Sequence, residues 1–122
     1  MYGIYINCKE YPFIDWIISG SKLYETRTKD TLSKLVGKRV FLIETGRHSV
    51  PVVRAVAKIA WSDRCSYSDV IARKQARIKG TKYDIKPDSE KVFYFLMSVH
   101  PVDNPFPVPA SRVNHGRSYT EF

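Results

Sequence analysis

The alternation of apolar and polar positions along the chain predicts short strands interrupted by two helices. Residues 3–7 and 23–27 alternate in side-chain direction over the length of a short strand. Residues 39–44 are rich in β-branched and aromatic side chains, and residues 52–61 place small and apolar side chains on one face. Residues 91–99 are apolar on both faces, which is typical of a central strand. The pattern therefore predicts a strand in each of these segments.

Two further segments carry helix signals. Residues 12–19 place three isoleucines at helical spacing, begin with a proline that the first turn tolerates, and stop before Gly20. A second helix is predicted at about residues 68–79, because Ser66 and Asp69 have the spacing of an N-terminal cap and Gly80 ends the segment. Prolines between residues 101 and 109 exclude regular ladder pairing there, except at a sheet edge. This order of elements fits either an open α+β sandwich or a small sheet curled into a barrel.

Polar chemistry is concentrated in residues 20–27. If this segment ends in a strand, Glu25 and Arg27 project from one face and Tyr24 from the other. Lys22 stands just before them. A carboxylate, a guanidinium and an ammonium group so close together can form a binding site beside the helix end. The simpler alternative is a surface ion pair of little energetic value.

The same segment resembles the signature of the ASCH domains, a branch of the PUA-like superfamily, in which an apolar helix precedes Gly-x-Lys-x-x-Glu-x-Arg. Gly20, Lys22, Glu25 and Arg27 fill the four fixed positions. Further similarities follow in the family's order along nearly the whole chain, at residues 37–43, 91–96 and 101–109. The resemblance implies a single domain over residues 1–122 with an α+β fold. That fold is a small PUA-like β-barrel of about five or six strands with two or three helices packed at its openings. A ligand-binding cleft beside residues 20–27 is also implied.

The charge balance indicates a polyanionic partner. The chain has 20 Lys and Arg against 12 Asp and Glu, a formal net charge of +8, and a sequence pI near 9.6. A domain this basic attracts nucleic acid, although many basic proteins bind it only nonspecifically. Residues 70–82 include five basic side chains and no acidic one. Arg73 and Arg77 would share a helix face there, and we expect both to contact backbone phosphates.

Other classes of chemistry find little support in the sequence. Cys8 and Cys65 are too few for a disulfide framework and lack the spacing of metal ligands. No nucleophile elbow, phosphate-binding loop or metal-binding motif is present. No signal peptide is visible, and no apolar run approaches the roughly 20 residues that span a bilayer. We therefore expect a soluble cytoplasmic protein with no metal and no cofactor.

Each candidate site residue has a functional and a structural interpretation. Lys22 can contact a phosphate, or act as a base if burial lowers its pKa, and a solvated lysine is the ordinary alternative. Glu25 can accept hydrogen bonds from a base edge or move a proton, or it can simply hold Arg27 in place. Arg27 is a ligand contact or a structural anchor. Tyr24 and Tyr94 can stack on a nucleobase, although most tyrosines on such strands pack in the interior.

Two other segments supply candidates. The loop at residues 45–49 resembles the family loop that borders the cleft, so Arg47 and His48 can reach a phosphate or a base. A lone histidine without an acidic partner does not by itself indicate catalysis. The run before Tyr119 is polar and glycine-hinged, so Arg117 and Ser118 can close over the cleft, the alternative being a disordered terminus.

The resemblance allows two functions. ASCH and related PUA-like domains are expected to bind RNA or modified nucleobases in a basic cleft. Small bacterial ASCH proteins similar to this one remove an acyl group from acetylated cytidine nucleosides, and others cleave RNA. The amidohydrolase pattern places a threonine two or three positions after the lysine, but Glu25 takes that place here and the strand period predicts that Thr26 faces the other side.

We therefore predict an RNA- or nucleotide-binding domain, with the recognised base either standard or modified. The alternative is a small hydrolase in which Lys22 and Glu25 are the catalytic residues. A protein-interaction adaptor is a third class that the sequence leaves open.

Overall fold

The computed structural model describes residues 1–109 and 118–122. Within these residues the chain forms an α+β arrangement of six strands, two short helices and one 3₁₀ turn. The elements in chain order are β1 (Tyr2–Asn7), α1 (Phe13–Ile18), β2 (Tyr24–Arg27), the 3₁₀ turn (Ser33–Leu35), β3 (Arg39–Thr45), β4 (Val52–Ser66), α2 (Val70–Gln75), β5 (Glu90–Pro107) and β6 (Tyr119–Glu121).

The six strands form one mixed sheet in the order β2–β5–β4–β3–β1–β6. β1 and β3 run parallel, and every other neighbouring pair in this order is antiparallel. Parallel neighbours need a long crossover connection, and here the chain passes through α1 and β2 between β1 and β3. This crossover places β2, which contains the last residues of the 20–27 motif, at the opposite end of the strand order from β1 and β6.

The sheet is open between β1 and β2. β6 pairs with β1 only at Tyr2, Gly3 and Ile4, and β2 pairs with β5. In place of a strand ladder, the Nη2 atom of Arg27 donates a hydrogen bond to the Tyr5 carbonyl at 2.6 Å. The predicted α+β class is therefore confirmed. The closed barrel is not confirmed among the described residues, because no ladder of backbone hydrogen bonds joins β1 to β2. The Arg27 guanidinium bridges this gap instead.

The main core lies between α1 and one face of the sheet. α1 buries Phe13, Ile14 and Ile17, and burial of a large aliphatic side chain contributes about 1.5–3 kcal/mol. The helix ends where the sequence predicted, since Gly20 has a φ of +83° that residues with a Cβ rarely adopt. The buried side chains of the sheet that join this core include Ile4, Leu42, Ala55, Ile59, Tyr94 and Leu96.

The long strands β4 and β5 exceed their predicted limits. β4 continues to Ser66 because it pairs with β5 over residues 61–66, where mostly polar, exposed side chains gave no apolar pattern. β5 continues to Pro107, and its part beyond Leu96 lies outside the ladder with β2. The proline-rich run thus lies along an edge, as its composition indicated.

The second helix is shorter than predicted. α2 ends at Gln75 rather than near Gly80, because the backbone of Arg77 turns into the left-handed region with a φ of +55°. Neither α1 nor α2 approaches the length needed to cross a bilayer, and the described residues contain no helix that is long and apolar enough to do so.

Candidate functional site

A pocket of about 210 Å³ occupies the gap between β1 and β2. The second half of β1 forms one side, and Lys22 together with Glu25, Thr26 and Arg27 forms the other. Phe13 and Tyr83 complete the lining. Three of the four motif residues predicted from the sequence therefore line one small cavity, and they do so because the sheet is left open there.

Lys22 is the most unusual of these residues because it is only 2% exposed. Its Nζ atom donates a hydrogen bond to the Ala76 carbonyl at 2.5 Å and lies 4.6 Å from the centroid of the Phe13 ring. Burial disfavours the charged ammonium and lowers the pKa of Lys22 from 10.5 to about 8, a shift that the Glu25 charge partly opposes. The site therefore holds a lysine that is mainly protonated at pH 7 but loses its proton at a lower pH than a solvated lysine does.

Glu25 and Arg27 form a partly buried ion pair on the same face of β2. The Oε2 atom of Glu25 lies 3.2 Å from Nη2 of Arg27, and its Oε1 atom accepts a hydrogen bond from the Thr26 N–H at 2.9 Å. Glu25 is 6% exposed. The predicted shared face of Glu25 and Arg27 is thus present, and Arg27 also holds β1 against β2.

Part of the pocket wall is aromatic, which the sequence did not predict. The rings of Phe13 and Tyr83 meet edge to face with centroids 5.4 Å apart, and Trp16 lies 5.6 Å from Phe13. Phe13 and Trp16 are one helical turn apart, so the spacing around α1 carried a signal for part of this wall. Tyr83 lies in a polar loop without periodicity, where only tertiary packing brings it to the pocket.

The two tyrosines predicted to stack on a base face the interior instead. Tyr24 packs against Trp61, Phe93 and Phe95 with ring centroids 5.4–5.6 Å away. Tyr94 is fully buried. Its hydroxyl donates to an Asp30 carboxylate oxygen and accepts from the Leu32 N–H. Neither ring is available as a stacking surface in this structure.

Arg47 and His48 belong to a separate charged network. The Nε atom of Arg47 donates to the Cys8 carbonyl at 2.6 Å, and His48 Nε2 lies 2.7 Å from Oε1 of Glu44. Glu44 is almost fully buried and is also bound by Arg54. The histidine therefore has the acidic partner that the sequence did not reveal, but neither Arg47 nor His48 lines the pocket.

The two arginines predicted to share a phosphate-binding face have different environments. Arg73 is 4% exposed and donates two hydrogen bonds to Asp84, which lowers the pKa of that carboxyl to about 2. A third bond goes to the Tyr67 carbonyl. Arg77 is exposed and stacks on Trp16. Arg73 thus serves as an internal structural tie, and only Arg77 presents its guanidinium to solvent.

The predicted tail residues fall at the edge of what is described. Arg117 lies outside the described residues. The Ser118 carbonyl accepts a hydrogen bond from the Tyr5 N–H at 3.0 Å. This places the chain just before β6 beside a residue that lines the pocket.

Metal and thiol chemistry gain no support from the described residues. No group of three or more His, Cys, Asp or Glu side chains among residues 1–109 and 118–122 has the geometry to hold a metal ion. Both cysteines are free thiols, and burial raises the pKa of Cys8 and of Cys65 to about 11. Neither thiol is therefore activated as a nucleophile at neutral pH.

Known structures identify the fold. No family model and no curated protein sequence matches the chain. Among solved structures, the ASCH protein from Zymomonas mobilis matches at 17% identity with a TM-score of 0.74, covering 99% of this chain and 86% of that protein. Two variants of the Zymomonas protein, one with a serine-to-alanine and one with a tyrosine-to-phenylalanine change, match at 16% and 15% identity, each with a TM-score of 0.67. They cover 99% of this chain and 87% and 88% of their own. The chain therefore has the fold of ASCH proteins over essentially its whole length.

Proposed function

We propose that this protein is an ASCH-family domain that binds RNA or a nucleotide, with one base, standard or modified, seated in the pocket between β1 and β2. The observation that carries the proposal is the convergence of Lys22, Glu25 and Arg27 on one small cavity with an aromatic wall. The motif residues recognised in the sequence are thus the residues that line the cavity. The two grooves beside α2, by contrast, are not lined by buried charges of both signs.

The chemistry of the lining suits a nucleobase. The Glu25 carboxylate accepts hydrogen bonds, and its oxygens keep lone pairs beyond those used by Arg27 and the Thr26 N–H. Such an acceptor pairs with an exocyclic amino group, while the Lys22 ammonium is a donor for a carbonyl oxygen. The cavity of about 210 Å³ is smaller than the roughly 300–1,000 Å³ that drug-sized ligands occupy. A single base fits this scale better than a whole nucleotide.

Binding of single-stranded RNA is expected to weaken steeply with salt. Basic side chains that neutralise phosphates release the counterions condensed on the RNA, and the formal charge of +8 reflects an excess of such side chains. Each phosphate contact contributes roughly 0.7 to the slope of log K against log salt for single strands. Titration of a short labelled RNA at several salt concentrations gives that slope. Absence of binding even at low salt would remove the proposal.

One observation favours the hydrolase alternative. The pKa of Lys22 is lowered to about 8, which is in the range that suits general-base catalysis at neutral pH. The same ammonium group donates to the Ala76 carbonyl, and Arg27 donates a hydrogen bond to the Glu25 carboxylate. These contacts suit fixed hydrogen-bonding roles better than proton transfer, so binding remains the preferred function.

Turnover decides between the two functions. We expect freshly purified protein to show no hydrolysis of acylated cytidine or of RNA above background. Glu25→Gln is expected to weaken binding of a ligand with an exocyclic amino group by about tenfold or more, because a charged acceptor is lost. Asp88→Asn, which changes an exposed carboxylate, is the matched control. Hydrolysis by the wild type that Glu25→Gln abolishes and Asp88→Asn leaves intact would replace binding with catalysis as the function.

A further inference from the structure

A second groove lies beside the pocket, where the end of α2 meets α1. It has a volume of about 340 Å³ and is lined by Trp16, Lys74, Arg77, Lys79 and Thr81. The three basic side chains are exposed. The groove thus combines an aromatic surface with three positive charges.

These positive charges are not neutralised by the protein. Among residues 1–109 and 118–122, no carboxylate lies within ion-pair distance of Lys74, Arg77 or Lys79. The two other basic residues of the same stretch do have acidic partners, since Arg73 pairs with Asp84 and Lys82 pairs with Glu10. The two basic residues of this stretch that do not line the groove are thus paired, whereas the three that line it are available to an anion.

Arg77 is held in a fixed position without being paired to an acid. Its Cζ atom lies 3.7 Å from the centroid of the Trp16 ring, and its Nη1 atom donates to the Ser21 hydroxyl at 2.6 Å. A stacked guanidinium keeps its remaining N–H groups free for a planar or bidentate anion. This arrangement is a preorganised donor, and it lacks only an acceptor.

The backbone at Arg77 is also unusual. The Arg77 N–H bonds to the Lys74 carbonyl and the Ile78 N–H to the Arg73 carbonyl, which together form the Schellman motif that ends α2. Glycine is the preferred residue at this left-handed position, because a side chain with a Cβ is strained there. The arginine therefore occupies a position where the backbone favours glycine, which is common where a side chain has a function.

The groove and the pocket are neighbours that share a wall of aromatic side chains. Trp16 of the groove contacts Phe13 of the pocket wall. The Lys22 ammonium lies over the same Phe13 ring. Ser21, which binds Arg77, immediately precedes Lys22 in the chain. The groove is therefore the nearest group of unpaired cations to which a ligand with its base in the pocket can extend a phosphate.

We propose that this groove is a phosphate subsite, so that the ligand is a phosphorylated species rather than a free nucleoside. The inference rests on the proposed function. The phosphate is either the diester that links the seated base to its neighbour in a strand or the terminal phosphate of a mononucleotide. Arg77 binds it directly, and Lys74 and Lys79 supply further positive charge.

Arg77→Gly tests the subsite without disturbing the fold, because glycine suits the backbone conformation of this position. We expect the variant to unfold at the same or a higher temperature than the wild type and to bind a short single-stranded RNA at least about tenfold more weakly. The slope of log K against log salt should fall by roughly 0.7, the value for one phosphate contact. Arg64→Ala removes an exposed arginine far along β4 and is the control for loss of one charge.

A series of three ligands, an RNA, a nucleoside monophosphate and a nucleoside, distinguishes a terminal phosphate from a diester. It also distinguishes failure of the subsite from failure of the proposed function. Weaker binding of both a nucleoside monophosphate and the RNA by Arg77→Gly indicates a terminal phosphate, and weaker binding of the RNA alone indicates the internucleotide diester. Equal affinity of Arg77→Gly and Arg64→Ala for every ligand would overturn the subsite while leaving base binding intact. Failure of the wild type to bind RNA, nucleotide or nucleoside would overturn the proposed function, and the subsite with it.

Discussion

Lys22→Met is expected to make the protein more stable at neutral pH and to abolish recognition in the pocket. The lowering of the Lys22 pKa from 10.5 to about 8 corresponds to a penalty of roughly 3 kcal/mol for keeping the buried ammonium charged. Methionine fills a similar volume without charge. Loss of the hydrogen bond to the Ala76 carbonyl lowers the stability of the variant by about 1 kcal/mol and so offsets part of this effect. The net increase in the free energy of unfolding is therefore about 2 kcal/mol.

The pH dependence of this difference has a definite sign. Because the pKa of Lys22 is lower in the folded state than in the unfolded state, the unfolded chain binds the extra proton between pH 8 and pH 10.5. The penalty in the wild type is complete below pH 8 and disappears as the pH rises to 10.5. The advantage of Lys22→Met should shrink over the same interval.

Denaturant unfolding of both proteins at pH 7 and near pH 10.5 measures the effect. Using the difference between variant and wild type cancels the titration of the other lysines and tyrosines. Lys29→Met, at an exposed position, provides the control and should change stability little at either pH. A Lys22→Met variant that is less stable than the wild type at pH 7 would show that the ammonium is a structural tie rather than a strained functional group.

Arg27→Met is expected to have the opposite effect and to destabilise the fold by about 2–4 kcal/mol. The substitution leaves the Glu25 carboxylate, which is 6% exposed, without its guanidinium partner. Removing one member of a buried ion pair is costly because the other charge stays desolvated. It also deletes the hydrogen bond from Arg27 to the Tyr5 carbonyl, which holds β1 beside β2 across the opening in the sheet.

A double-mutant cycle separates these two contributions. Combining Glu25→Gln with Arg27→Met removes the unpaired charge, so the double variant should recover at least about 1 kcal/mol relative to Arg27→Met alone. The remaining loss reports the link between β1 and β2. Chemical denaturation of the four proteins gives the coupling free energy. If the two single effects simply add, Glu25 and Arg27 are independent, and the pair does not organise the pocket.

The sequence determined the local features of this protein. The recurring isoleucines decided which face of α1 is buried, and Gly20 decided where that helix ends. The period of a strand put Glu25 and Arg27 on one face of β2 before any neighbour was known. These predictions succeeded because each depends on backbone geometry over a few consecutive residues, and the order of apolar segments was sufficient for an α+β class.

Only the tertiary structure decided what each polar side chain meets. Arg73 and Arg77 are equivalent by helical spacing, yet Asp84 binds one of them and Trp16 stacks on the other. Tyr83 reaches the pocket from a loop with no pattern at all. The opening of the sheet between β1 and β2, which creates the pocket, depends on how far β6 extends along β1.

The physical reason is that burial and pairing are properties of distant segments brought together. Lys22 contacts Ala76, 54 positions along the chain, and Arg73 finds its acidic partner Asp84 in a different segment, 11 positions along. Local periodicity determines the direction of a side chain. Its environment is determined by which strands and helices pack together, and the sequence pattern does not predict those neighbours.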